Sequence, residues 1–288
     1  MANTNSIIKN PAVPNLPLAP VGYERTYQDQ LNNVLRLYFN QLNNVSTALL
    51  GPTGGAFLQF PNGAWYQDGV STLTAALTNT STTPIQVVST NGFLPSGALL
   101  IGTEVIKYTA KTSTTFTGIT RGTYGSTQAS HSIGDYVSEA QAVPSATTAL
   151  PIALTSTDSS NGVSIDSVDQ SKIVFAVSGY YNIQFSAQLL SFDGTIDDVC
   201  MWFRKNGVDI ANSASYTTVP STHGGVAGAT ILALNLVVPV VEGDYLQLYM
   251  SSRTGNTLCA TYPPNTAPVR PASPSIILTS TFVSALYT

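Results

Sequence analysis

Charge is what this 288-residue chain has least of. Asp, Glu, Lys and Arg make up 9% of it, where an ordinary globular domain carries about 25%. Its 11 bases stand against 15 acids, for a formal net charge of -4. That is too few Lys and Arg to neutralise phosphates, so nucleic acid is not an expected partner, and the net field is too weak to steer one. Cysteine is scarce too. Cys200 and Cys259 cannot make a disulfide framework, and the expectation is two buried free thiols. No stretch is long and apolar enough to cross a bilayer, so no membrane insertion is expected. The opening residues are interrupted by proline where a signal peptide needs a continuous apolar core. The expected setting is assembly in a reducing cytoplasm.

Histidine is nearly absent, and that bears on catalysis. A Ser-His-Asp triad would have to use His131 or His223, and no Gly-x-Ser-x-Gly elbow is present. Clusters of Cys and His that would ligate a metal are missing, as is a phosphate-cradling glycine motif. No catalytic, cofactor-binding or metal residue is therefore assigned, no cofactor is expected, and the chain is not read as an enzyme. One acidic cluster, Asp193, Asp197 and Asp198 in the 192–198 loop, has the oxygens for calcium or for paired carboxylates. Solvated turn residues are the plainer reading of it.

In place of charge the chain has Ser, Thr, Asn and Gln, which sit well in strands and turns. A weakly charged surface also removes a barrier to self-association. From Tyr180 to Leu189 the residues alternate: Tyr181, Ile183, Phe185, Ala187 and Leu189 on one side, Tyr180, Asn182, Gln184, Ser186 and Gln188 on the other. That period of two is the mark of a half-buried antiparallel strand. Val199 to Lys205 runs into Asn206-Gly207, a strong hairpin signal. Ala229 to Val241 is a long apolar strand that turns at Glu242-Gly243-Asp244 into Tyr245 to Met250.

Five segments follow from the pattern. Residues 1–23, with Pro11, Pro14, Pro17 and Pro20 every third position, read as an extended polyproline-like arm, either a free tail or an anchor. Residues 24–50 read as the one helix. Leu31, Leu35, Tyr38, Leu42, Val45 and Leu49 form a heptad seam, and Gly51-Pro52 stops it. The seam packs either on the chain's own β body or against copies of itself in a trimeric coiled coil. Residues 51–78 read as a connector and 79–142 as a small β module. Residues 143–288 are an antiparallel sandwich or jelly roll. The fold class is mainly β.

Within the module, Ile101-Gly102-Thr103-Glu104, Tyr108-Thr109, Arg121-Gly122 and His131 resemble small β modules inserted in tailed-phage tail and virion proteins. Glu104, Arg121 and His131 read as a polar brace rather than an active site. The series Phe175-Ala176-Val177-Ser178-Gly179-Tyr180-Tyr181, then Arg204-Lys205-Asn206-Gly207, then Glu242-Gly243-Asp244-Tyr245-Leu246-Gln247-Leu248 resembles the trimeric jelly-roll heads of the tumour necrosis factor and complement globular-head superfamily. The helix run from Leu31 to Leu42 is similar to the start of structural proteins in phages of marine and freshwater cyanobacteria. These resemblances imply a homotrimer on a virion, as fibre, spike or capsid decoration, held to another virion protein (capsid, portal or tail) through residues 1–50. Tyr180, Tyr245 and Tyr249 are candidate trimer contacts, or else ordinary sheet-surface residues. The alternative function is an adhesin whose head loops, 192–198, 217–228 and 251–264, bind a host-surface glycan or protein receptor.

Overall fold

The computed structural model describes residues 14–16, 18, 21–50 and 60–286. Pro11, Pro17 and Pro20 lie outside the described residues, as does the side chain of Leu49. The chain divides into two compact units, residues 1–60 and 61–288.

In the first unit Arg25–Leu50 is an α-helix, about 40 Å long at about 1.5 Å per residue. Leu31, Leu35, Tyr38, Leu42 and Val45 all lie on its half-buried stripe together with Val34, while the Asn and Gln positions between them are exposed. Leu37 and Phe39 point off the stripe and stay exposed.

The second unit is mainly β, a sandwich of two curled antiparallel sheets with a small three-stranded sheet and a two-stranded one besides. The larger sheet runs, in spatial order, through Ser156–Asn161, Asn62–Gln67, Ile276–Ser284, Gly179–Ser191, Thr257–Ala260, Tyr136–Ala142, Gly97–Ile101 and Glu104–Tyr108. The 13-residue strand Gly228–Val240 pairs along the whole of Gly179–Ser191 on its other side. The smaller sheet centres on Asp197–Lys205 and Tyr245–Ser252.

The alternation in the sequence sets the core. Tyr181, Ile183, Phe185, Ala187 and Leu189 are all buried. Tyr181 meets Phe175 and Phe282 edge-on at 4.8 and 5.5 Å, and Phe185 meets Phe203 of the facing sheet at 5.8 Å. Burying one such ring stabilises the fold by roughly 1.5–3 kcal/mol. Gly179 is needed where it stands, because a Cβ there would lie 2.3 Å from the Phe282 ring. The Asn206-Gly207 turn takes positive φ at both residues, 51° and 82°, as a two-residue hairpin of matching twist requires.

Three features depart from the segment reading. Residues 62–67 and 70–72, inside the expected connector, are strands; Trp65, with none of its surface exposed, pins the first to the core. The module does not end at a seam near residue 142. Leu258, Cys259 and Ala260 of the head pair with Ala142, Gln141 and Ala140, so one sheet serves both. The module still has a core of its own, built from Ile85, Leu99, Ile101, Ile106, Phe116 and Val137. Of the two free thiols, Cys259 is buried and Cys200 only half-buried.

Candidate functional site

The brace is closed chemistry. The Arg121 guanidinium grips Glu104 with two bonds of 2.6 Å, Nε to Oε1 and Nη2 to Oε2. Its remaining donors reach the carbonyls of Thr78, Ser81 and Ala129. Glu104 also accepts from the Gly122 and Ala129 amides and from His131 Nε2, the last at 2.7 Å. Burial pushes the Glu104 carboxyl up, but the Arg121, His131 and Ala129 donors outweigh it and leave the group below its ordinary value. The Arg121 guanidinium and both Glu104 oxygens are fully used on the chain itself, so what the arrangement does is tie three loops together.

The acidic loop does not converge. Asp197 is buried against the hydroxyls of Ser252 and Thr257 and the Thr254 amide. Asp193 accepts from Asn256 Nδ2 at 2.8 Å. Asp198 faces Thr218 and Arg253. Among the described residues no group of three or more His, Cys, Asp or Glu is placed to hold a metal.

The candidate tyrosines fall on two different sheets. Tyr245 and Tyr249 stand on the outer side of the smaller one. There Trp202 stacks on Tyr249 at 5.8 Å, Arg204 lies 4.0 Å over the same ring, and Asp209 holds both Trp202 Nε1 and Arg204 Nε at 2.6 Å. Lys172 covers Tyr245 at 4.9 Å. Tyr180 stands instead on the outer side of the larger sheet, in a different setting.

That outer side is made by Gly179–Ser191, Gly228–Val240 and Ile276–Ser284, and none of the three strands carries a charged residue. In register across it, Asn182 lies between Val237 and Thr281, Gln184 between Asn235 and Thr279, and Ser186 between Ala233 and Ile277. Ile231, Val237 and Ile277 are exposed there. Asn182 Oδ1 is shielded from solvent yet has no hydrogen-bond partner among the described residues. Gly228–Val240 pairs only with Gly179–Ser191 among the described strands, so its second edge is unpaired.

Tyr180, Asn182 and Gln184 were legible as an outward face. Ile231, Val237 and Ile277 were not, although the signal existed: counting residues 228–240 by twos puts Ile231, Ala233, Asn235 and Val237 on one side. No protein family matches the chain, and no curated protein is significantly similar to it. Among the described residues no helix is long and apolar enough to cross a membrane.

Proposed function

We propose that the chain is a structural protein of a tailed-phage particle: a fibre, spike or capsid decoration whose β body is a jelly-roll head. It assembles as a homotrimer, and residues 1–50 hold it to another virion protein, whether capsid, portal or tail. The observation that carries the reading is the charge-free outer face of the 179–191, 228–240 and 276–284 strands, where Ile231, Val237 and Ile277 are exposed among uncharged polar side chains. Exposed branched apolar residues on an uncharged sheet face suit burial against a second chain. A three-fold ring uses heterologous contacts, with one patch of each copy meeting a different patch of the next. Two unlike surfaces on opposite sheets, one uncharged and one carrying Trp202, Tyr245 and Tyr249, suit that arrangement. The heptad stripe of the helix offers a second line of self-association, and the resemblances in the sequence supply the particle.

Sedimentation of the full chain at micromolar concentration tests the assembly. The expected species is three times the 30.3 kDa chain mass, and Ile277→Lys, which sets a charge in the face, is expected to shift it towards monomer. A wild-type monomer overturns the trimer. Labelling the N terminus on intact particles reads the placement: a capsid-wide lattice means decoration, a single vertex or the tail means a fibre, and unlabelled particles overturn the virion reading.

A further inference from the structure

A cleft of about 770 Å³ opens where the larger sheet passes from the head into the module. It lies within the range of about 300–1,000 Å³ typical of ligand sites. Its floor is apolar, with Leu100 on one strand and Leu190 on another. Three aromatic rings from distant parts of the chain stand around it: Tyr136, Phe192 and Tyr262. Phe192 and Tyr262 are only partly buried, packed at the margin of a satellite core, and Tyr136 is 42% exposed. Gly225, Val226 and Ala227 close a further side. Segments of all three head loops that the adhesin reading singled out thus meet at one place.

The polar groups are few and differ in kind. Arg270 lies 4.8 Å over the Tyr262 ring and donates to the Pro263 carbonyl at 2.8 Å, which fixes both side chains. Asp135 accepts from the Ser132 amide through Oδ2 at 2.8 Å. Ser138 follows Tyr136 by two residues on the same strand, and so lines the same side. It pairs across from Leu100 and is 1% exposed, yet its Oγ has no hydrogen-bond partner among the described residues. Buried hydroxyls are normally bonded, and this one borders the cleft with its hydrogen-bonding capacity unused by the described residues.

We infer that this cleft binds a short neutral oligosaccharide. A sugar ring has one apolar face of C–H groups and a hydroxyl edge, which matches aromatic walls over an apolar floor with a few fixed polar groups. Asp135 accepts from hydroxyls, Arg270 donates to them, and Ser138 does either. The formal charges of Asp135 and Arg270 cancel, which favours an uncharged ligand over an acidic or basic one. The inference gives the host-glycan reading a location and does not depend on the trimer.

The test is titration of the full chain with maltotriose, cellotriose, mannotriose, lactose and tri-N-acetylchitotriose, followed by saturation-transfer NMR. At least one sugar is expected to bind saturably. Tyr136→Ala, an exposed position, is expected to weaken it by about tenfold, as losing a stacking platform does. Ser138→Ala is expected to weaken it severalfold, and Tyr216→Ala, outside the cleft, to leave it unchanged. Absence of binding by every sugar overturns the inference, as does binding that survives both cleft substitutions. So does occupation of the cleft by a peptide of residues 8–22, which would assign the groove to the chain's own proline-rich arm. Sedimentation of the same sample separates the two proposals: a trimer that binds no sugar leaves the assembly standing, and a monomer that binds one does the reverse.

Discussion

Glu104 and Glu139 are both buried completely, in neighbouring parts of the same sheet, and their surroundings drive them in opposite directions. Glu104 receives two guanidinium bonds, an imidazole bond and two amide bonds. Glu139 has one oxygen, Oε1, without a partner among the described residues. Its Oε2 lies 2.8 Å from Tyr108 Oη and 3.2 Å from the Leu94 amide. Lys111, whose charge acts on it, spends its ammonium on the carbonyls of Thr90 and Phe93 instead. Burial therefore holds the Glu139 carboxyl well above its ordinary value, against weaker opposing help from Tyr108, Leu94 and Lys111. The hydrogen count agrees. Tyr108 has one proton and two acceptors, since its hydroxyl also reaches the Leu94 carbonyl at 2.8 Å. If Glu139 is the neutral acid, it donates to Tyr108 and Tyr108 donates to Leu94, and every proton is placed. Burial alone does not decide a carboxyl's charge; the number of donors around it does.

The comparison breaks most sharply at Arg121. Arg121→Ala leaves a buried carboxylate without its cation and three loop carbonyls without a donor, so a loss of about 3–5 kcal/mol is expected, read as a lower urea midpoint. A loss under 1 kcal/mol would mean that the brace is ornamental. Glu104→Gln is the next largest. An amide nitrogen there faces the Arg121, His131 and Ala129 donors with donors of its own, and about 2–3 kcal/mol is expected to be lost at pH 7. The sign in pH follows from the lowered folded value. The carboxylate's stabilisation is full above its ordinary value near 4.5 and disappears as pH falls through the lower folded value. The gap between wild type and Glu104→Gln is therefore expected to narrow only in acid, below about pH 4.5.

How far these sites were legible in the sequence depends on the range of the interaction. The strand from Tyr180 to Leu189, the Asn206-Gly207 turn and the helix stripe are local patterns, and the residues announced them. Ser156–Asn161 has no apolar residue to announce it; it is a strand because Asn62–Gln67 lies beside it. Nothing local marks Trp65 as a core residue of the expected connector, because its partners come from remote positions. The Glu104, Arg121 and His131 group was readable as a set, since all three fall in the short motifs that resemble the phage modules. Glu139 was not, for its character comes from what Tyr108 and Leu94 fail to supply. The cleft was half legible. Its loops were named from the strand pattern, but Tyr136 and Ser138 joined them only through the pairing of 257–260 with 136–142.

Glu139→Gln gives the smallest and most telling effect, because its sign changes with pH. The variant's amide nitrogen can donate to Tyr108 but cannot accept from the Leu94 amide as Glu139 Oε2 does at 3.2 Å, so in acid, where the wild-type carboxyl is neutral in both folded and unfolded states, the variant is expected to be less stable by about 1 kcal/mol. Above the ordinary value near 4.5 the unfolded wild type ionises while the folded one holds its proton. Wild-type stability from this group then declines by up to about 1.4 kcal/mol per pH unit until the folded value is reached. The variant has no such decline. Urea unfolding at pH 4.5 and pH 8 is expected to show the variant gaining on the wild type as pH rises, the opposite trend in pH from Glu104. A difference that stays constant with pH would place both glutamates in the same electrostatic class and remove the contrast between them.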